Sequence, residues 1–291
     1  MNRNFGSYML SGATLLAALC MISMHAAAQR EQAATTGTGK SDAQQVKPLP
    51  PGGPTPRMAD GHPNLSGVWF PGITGGGDLN DVGLDGNSGL VRRLFDPKKT
   101  PQEKPAYQPW AAAKLKQMYP TQIDVELHRP SVNCEPRGVP GMFTTNPYPL
   151  QLVTTPGQFV QLIELNNNFR VVPTDGRPHI QDPDPTFNGD GVAHWDGDTL
   201  VIDTIAIDEK TWNDMQGWFH SDEEHVIERI SRPSMNYLTY QVTIEDPKVL
   251  TKPWSSVPWT WTLGHEPLEE YYCTHNEELY QFNSLKSGDS K

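Results

Sequence analysis

The sequence predicts a mainly β protein, an antiparallel meander closed as a barrel or stacked as a sandwich. Three observations predict it. From about residue 150 to 273, short segments rich in β-branched and aromatic residues alternate with Pro, Gly, Asn and Asp clusters. Asp196-Gly197-Asp198 stands between two apolar segments, where Asp-Gly is a hairpin signal. The 27 prolines in 291 residues disfavour a helical bundle, because an interior proline removes a helix hydrogen bond and clashes with the preceding turn.

Residues 1–28 read as a secretory signal: Arg3, an apolar run from Met9 to about Met24, then Ala26-Ala27-Ala28. An uncleaved anchor or a lipoprotein through Cys20 are the alternatives. Residues 29–60 are Ala, Gln, Thr, Gly, Ser and Pro with little to bury, and read as a disordered tether. A single domain is expected over 61–285, opening near Pro63-Asn64-Leu65-Ser66-Gly67-Val68-Trp69, with a loop-rich, partly helical insert at about 71–149. Within the insert, residues 72–87 are Gly- and Asp-rich loop. Thr100-Pro101-Gln102-Glu103 has the form of a capping box. Pro109 can open a helix through Met118, and the prolines between 129 and 157 predict loop. Strands are expected at Leu150–Thr154, Gln158–Leu165, Arg170–Val172, Val192–Trp195, Thr199–Ile207, His225–Ser231, Tyr237–Glu245, Trp259–Leu263 and Glu270–Cys273.

A net charge of -11 argues against a nucleic-acid binder, which needs Lys and Arg against phosphate, and against binding an anionic membrane surface. Export would leave two cysteines, Cys134 and Cys273. In an oxidising compartment they pair most simply as one disulfide, and two separate buried thiols are the alternative.

Side chains alternate across a strand, so each strand can be asked which polar group shares a face with apolar ones. Glu164 falls with Val160 and Leu162, Asp203 with Val201, Ile205 and Ile207, and Glu228 with Val226 and Ile230. Buried carboxylates need partners, and Arg170, Arg229 and Arg232 are available. This reading predicts a polar pocket inside the barrel. The opposite reading puts those carboxylates in solvent.

The segment His220-Ser221-Asp222-Glu223-Glu224-His225 is the densest in chemistry. It could serve acid–base catalysis or, with a bend at Ser221, a divalent metal on His220, Asp222 and His225. Asp182, Asp184, Asn188 and Asp190 follow Asp175-Gly176-Arg177-Pro178-His179 as oxygen donors, but the EF-hand pattern fails at Phe187. Six tryptophans, Trp195, Trp212, Trp218, Trp254, Trp259 and Trp261, form either a stacking surface or ordinary core. No nucleophile elbow, P-loop or dinucleotide fingerprint occurs.

The motifs running from Asp60 to Trp69, Asp175 to His179, Trp195 to Thr204 and His220 to Arg229 resemble, in that order, a family of exported bacterial proteins to which no established activity attaches. Gly67-Val68-Trp69 more loosely resembles the opening of lipocalin-like barrels, which implies a ligand-holding cup and no particular reaction. The resulting expectation is a periplasmic or secreted lipocalin-like barrel handling a small organic molecule. His179, His220, His225 and Glu228 would act as acid–base groups in a lyase, isomerase or hydrolase step. Glu164, Arg170, Asp203, Arg229, Trp195 and Trp218 would bind the ligand, with Arg170 or Arg229 holding an oxyanion. No cofactor is expected beyond a possible divalent metal, no nucleic-acid partner, and no membrane span in the mature chain. A non-catalytic binding protein and a structural envelope protein are the rivals.

Overall fold

The computed structural model describes residues 51–71, 105–144, 148–214, 217–264, 267–271 and 273. All of them fall in the unit Val46–Lys291. The expected signal, most of the tether and residues 72–104 of the insert lie outside the described residues. Residues 51–60 do not fit a tether: Met235 N–H donates to the Gly53 carbonyl, Asn236 N–H to that of Pro51, and Thr55 Oγ1 to that of Arg232. The ordered chain therefore already includes Pro51, ahead of the expected boundary at 60.

The protein is mainly β, with ten antiparallel strands in a nearly closed barrel. They are β1 (Gly67–Pro71), β2 (Leu150–Thr155), β3 (Gln158–Ile163), β4 (Asn168–Pro173), β5 (Asp190–Asp196), β6 (Thr199–Ile205), β7 (His225–Ser234), β8 (Tyr237–Glu245), β9 (Trp254–Ser255) and β10 (Trp259–Leu263). Their order is β4-β3-β2-β1-β10-β8-β7-β6-β5, with β9 paired beside β10 on β8. Joining β1 to β10 lets the strands follow chain order round the barrel, as an up-and-down meander does. The seam lies between β4 and β5. Side chains span it: Asn188 Nδ2 donates to the Phe169 carbonyl, and Arg170 reaches past Gly191 to the strands beyond.

Turn chemistry sets the hairpins. Thr155 pairs with Gln158 across Pro156-Gly157. Proline fixes φ at the first turn position, and Gly157 takes the left-handed φ of +81° that the second requires. Strand ends moved by a few residues from expectation, and Glu270–Cys273 is not a strand at its described residues. Between β1 and β2 lie α1 (Pro109–Met118), which opens at Pro109 as expected, α2 (Gln122–His128) and α3 (Gly141–Thr144). A capping box starts α2: Asp124 N–H donates to Thr121 Oγ1 and Thr121 N–H to the Asp124 carboxylate. The Thr100–Glu103 box lies outside the described residues.

Side chains fill the barrel. Tyr240 lies nearly parallel between Trp259 and Trp261, at 5.6 and 4.9 Å between ring centres. Phe143 of α3 packs 5.7 Å from both Tyr240 and Trp261. Met142, Trp69, Leu150, Leu152 and Phe159 are also buried. The tryptophans are thus mostly core. Cys134 and Cys273 form a disulfide with S–S 2.05 Å. No helix among the described residues is long and apolar enough to cross a membrane.

Candidate functional site

Register decides which carboxylates go inside. On β7, Val226, Glu228 and Ile230 face the interior while His225, Ile227 and Arg229 face out. Ile202 pairs with Glu228 and Thr204 with Val226, so Leu200, Ile202 and Thr204 face in and Asp203 faces out. The expectation is right for Glu228 and wrong for Asp203. On β3 the buried face is Phe159, Gln161 and Ile163. Glu164 is buried for another reason: it stands beyond the strand end, where its carboxylate accepts the Glu269 N–H at 2.9 Å.

Three polar networks result. The first is inside the barrel. Arg170 Nη1 donates to Glu228 Oε2 at 2.6 Å, Arg170 Nη2 to Thr204 Oγ1, and the Tyr240 hydroxyl to Glu228 Oε1 at 3.0 Å. All four residues are buried. Burial and the neighbouring Glu228 carboxylate push the Tyr240 hydroxyl well above its ordinary range. Arg170 and Glu228 are buried with the core residue Tyr240, so the expected oxyanion role of Arg170 falls in the barrel interior, with its guanidinium already paired.

The second network is also buried. His220 Nε2 lies 2.8 Å from Thr211 Oγ1. His220 Nδ1 donates to the Ser221 carbonyl at 3.0 Å and lies 3.1 Å from Glu224 Oε2 in a charge contact without hydrogen-bond geometry. Asn213 Nδ2 donates to Glu224 Oε1. Ser221 N–H and Oγ both donate to Asp246, which also accepts the N–H groups of Lys248 and Val249. Burial pushes the Glu224 carboxyl up to about 7, against the His220 and Asn213 contacts that favour its charge. Thr211, His220 and Glu224 have the order of a nucleophile–base–acid triad, but all are buried, and the network ties the 211–224 loop to Asp246.

The third network lies on the outer face of β5–β8 and is reachable. Asp190 Oδ2 is 2.8 Å from His179 Nδ1, and His179 Nε2 is 3.1 Å from Asp203 Oδ1. The same Asp203 Oδ1 is 2.6 Å from His225 Nε2, and His225 Nδ1 is 3.3 Å from Glu245 Oε2. Five acid and base groups thus alternate across four strands and one loop. The loop is held by its start and its end: Arg177 forks onto Asp175, holding that carboxyl down to about 2, and Ile180 N–H donates to Asp190. Both nitrogens of each ring face a carboxylate oxygen, which only accepts. A neutral imidazole carries one N–H, so it satisfies one of its two carboxylates at a time, and a protonated ring satisfies both. Such a chain can accept, hold and pass a proton. Its exposed members include Asp203 and Glu245, at 37% and 43% of their side-chain surface.

Glu245 also lines a cleft of about 440 Å³, with Gln108, Pro247, Leu250, Lys252 and Pro253. That volume is in the range of small-molecule sites. Gln108, just before α1, donates to the Leu250 carbonyl and fixes one wall.

The structure therefore brings His179, Asp203 and His225 together and adds Asp190 and Glu245, which the sequence reading did not assign to catalysis. Asp190 had appeared only as an oxygen donor in a loop. His220 belongs to the separate buried network and Glu228 to the interior. Arg229 pairs with Asp196 on the outer face at 2.8 Å. Trp195 stacks on His62 at 4.7 Å, and Trp218 is buried against Trp254. The trio expected for a metal is dispersed, with Asp222 turned to Lys248. Among the described residues no group of three or more His, Cys, Asp or Glu is arranged to hold a metal ion. No family model matches the chain, and no curated protein or solved structure is significantly similar to it.

Proposed function

We propose that this is an exported barrel protein that takes a small organic molecule into the cleft beside Glu245 and transforms it by proton transfer, as a lyase, isomerase or hydrolase. One observation carries the reading: the unbroken chain Asp190–His179–Asp203–His225–Glu245 ends in a carboxylate that lines a ligand-sized cleft. Glu245 takes a proton from the substrate or from a water. His225 stands behind it to receive or return that proton. Asp203 orients His225 through Nε2, and His179 and Asp190 hold Asp203 in turn. Pro247, Leu250 and Pro253 offer an apolar wall and Lys252 a positive charge for an anionic group.

Two further parts of the reading concern fold resemblance and export. Strand order round the barrel is compatible with the lipocalin-like resemblance, and because the interior is filled the proposed ligand site is the outer face and not the cup. Export rests on residues 1–28, and a disulfide suits an oxidising compartment.

The test is a screen of small esters, lactones, hydroxy acids and keto acids in deuterated water, followed by proton NMR. Conversion, or deuterium entering the substrate, is expected for at least one class. The exposed variant Glu245→Gln should lower that rate by about 100-fold or more, the usual contribution of a general acid or base. An unchanged rate in Glu245→Gln would remove the residue from the chemistry.

A further inference from the structure

Strand β8 ends at Glu245, and its pairing with β7 ends there too, where Glu245 stands opposite His225. The link between those side chains is long, 3.3 Å from Nδ1 to Oε2, and the Glu245 side chain is half-exposed. The sheet ladder holds Glu245 from one side only, so its position depends on what holds the residue after it. Side chains alternate along an extended chain. Ile244 therefore points into the core, Glu245 outward, and Asp246 back into the protein, where it is 3% exposed.

Both oxygens of Asp246 are engaged. Oδ2 accepts the Ser221 N–H at 2.7 Å. Oδ1 accepts the Ser221 hydroxyl at 2.8 Å and the N–H groups of Lys248 and Val249 at 3.2 and 3.1 Å. Ser221 is fixed in turn by the buried network that the proton chain does not use. Its carbonyl accepts the Glu224 N–H and the His220 ring, and Asn213 donates to Glu224. The turn that Asp246 caps is also a wall of the cleft. Pro247 and Leu250 line it, and the Val249 and Leu250 carbonyls accept the Gln108 N–H and Nε2. Lys248 reaches Asp222 and Glu223 as well, but all three side chains are exposed, and solvent leaves such pairs little strength. Hydrogen bonds to the buried, charged Asp246 are the stronger hold.

We propose that Asp246 is a positioning residue: clamped to Ser221, it anchors the end of β8, holds Glu245 within reach of His225 and sets the wall of the cleft. The inference rests on the reading of Glu245 as the proton-transferring end of the chain. It also gives the buried cluster of Asn213, His220, Ser221 and Glu224 a task, which is to keep the Asp246 anchor in place.

The experiment is nitrogen NMR of the histidine rings in the full chain, without ligand and at one pH, for Asp246→Asn and Ser221→Ala. Asparagine keeps the shape of Asp246 but turns an NH2 donor towards groups that themselves donate, so at least one bond of the clamp is lost. The His225 ring signals should move from their parent positions. Ser221→Ala loses the hydroxyl donor and keeps the backbone N–H, so a smaller shift in the same direction is expected. The signals of His194, on the outer face but away from Glu245, should stay in place. Circular dichroism would show that each variant is folded, and should Asp246→Asn not fold, the Ser221→Ala shift decides alone. An unmoved His225 ring in the folded variants, or a His194 ring that moves as far as His225, would overturn the proposal. No substrate is needed, so the two claims fail separately: an unchanged rate in Glu245→Gln removes Glu245 from the chemistry and leaves these signals as they are.

Discussion

Burial separates the histidines into roles. His225 and His179 are partly exposed and each lies between two carboxylates, whereas the His220 side chain is wholly enclosed with Glu224. Substituting His220 should therefore cost stability and not chemistry. Glu224 gives a pH signature. Its carboxyl is raised in the folded protein to about 7, from an ordinary 4.5. The stability from its neutral form is full below about 4.5 and is lost as pH rises through about 7, at most roughly 3 kcal/mol. Urea denaturation of Glu224→Gln should show a flatter dependence between those pH values than the parent. An identical slope would contradict the burial assignment. Glu228 makes a second prediction. Glu228→Ala leaves Arg170 charged and unpaired in the core, which should lower unfolding free energy by about 3–5 kcal/mol. A loss within about 0.5 kcal/mol, typical of a surface site, would contradict it. The Glu228 environment was legible from its alternation with Val226 and Ile230. Asp203 was not: Val201, Ile205 and Ile207 made its face look apolar, but Leu200 and Ile202 were equally good core residues. Nothing local distinguishes the two faces when both are apolar; the pairing with β7 does.

At the scale of elements, hairpins and helix starts were legible because their chemistry is local, as at Pro156-Gly157, Asp196-Gly197 and Pro109. Register was less so. His225 pairs with Glu245, but the hairpin carries an irregularity between Ser231 and Ser234. Counting back from the turn through an unbroken ladder misaligns the two residues by one position, so the last link of the acid–base chain was hidden. The contact of His179 with Asp190 and Asp203 was hidden as well, since it depends on how a loop returns. Gly189 governs that return. It stands before β5 with φ of +65°, and a Cβ there would lie 2.6 Å from the Ile205 carbonyl oxygen. Gly189→Ala should destabilise by roughly 1–3 kcal/mol and shift Asp190 away from His179. Urea denaturation together with the His179 ring signals in NMR would check both. Parent-like stability with unmoved His179 signals would show that the turn tolerates a side chain.

For the whole molecule, the disulfide closes a long loop. Cys134 and Cys273 are 139 residues apart, and the chain-entropy account gives such a bond on the order of 4–5 kcal/mol through the unfolded state. Reduction should lower the urea midpoint accordingly, and a midpoint unchanged by reductant would contradict that. The meander was legible in the sequence as a succession of strands, and its closure into a barrel was one of two expected solutions. The content of the barrel was not legible. Met142 and Phe143, from a proline-rich stretch read as loop, enter the interior with Trp259 and Trp261 and leave the polar centre to Arg170, Glu228, Thr204 and Tyr240. The ligand site proposed above is accordingly placed outside the barrel.

The central claim is that His179 and His225 act together with Asp203 and Glu245 as one proton-handling unit. The most direct measurement is the turnover rate of the screened substrate in His225→Gln and His179→Gln. The control is His194→Gln, an exposed histidine of β5 outside the chain. The account predicts a loss of about 100-fold or more in His225→Gln, a smaller loss in His179→Gln, and a parent-like rate in His194→Gln. Equal rates in all three variants would contradict it.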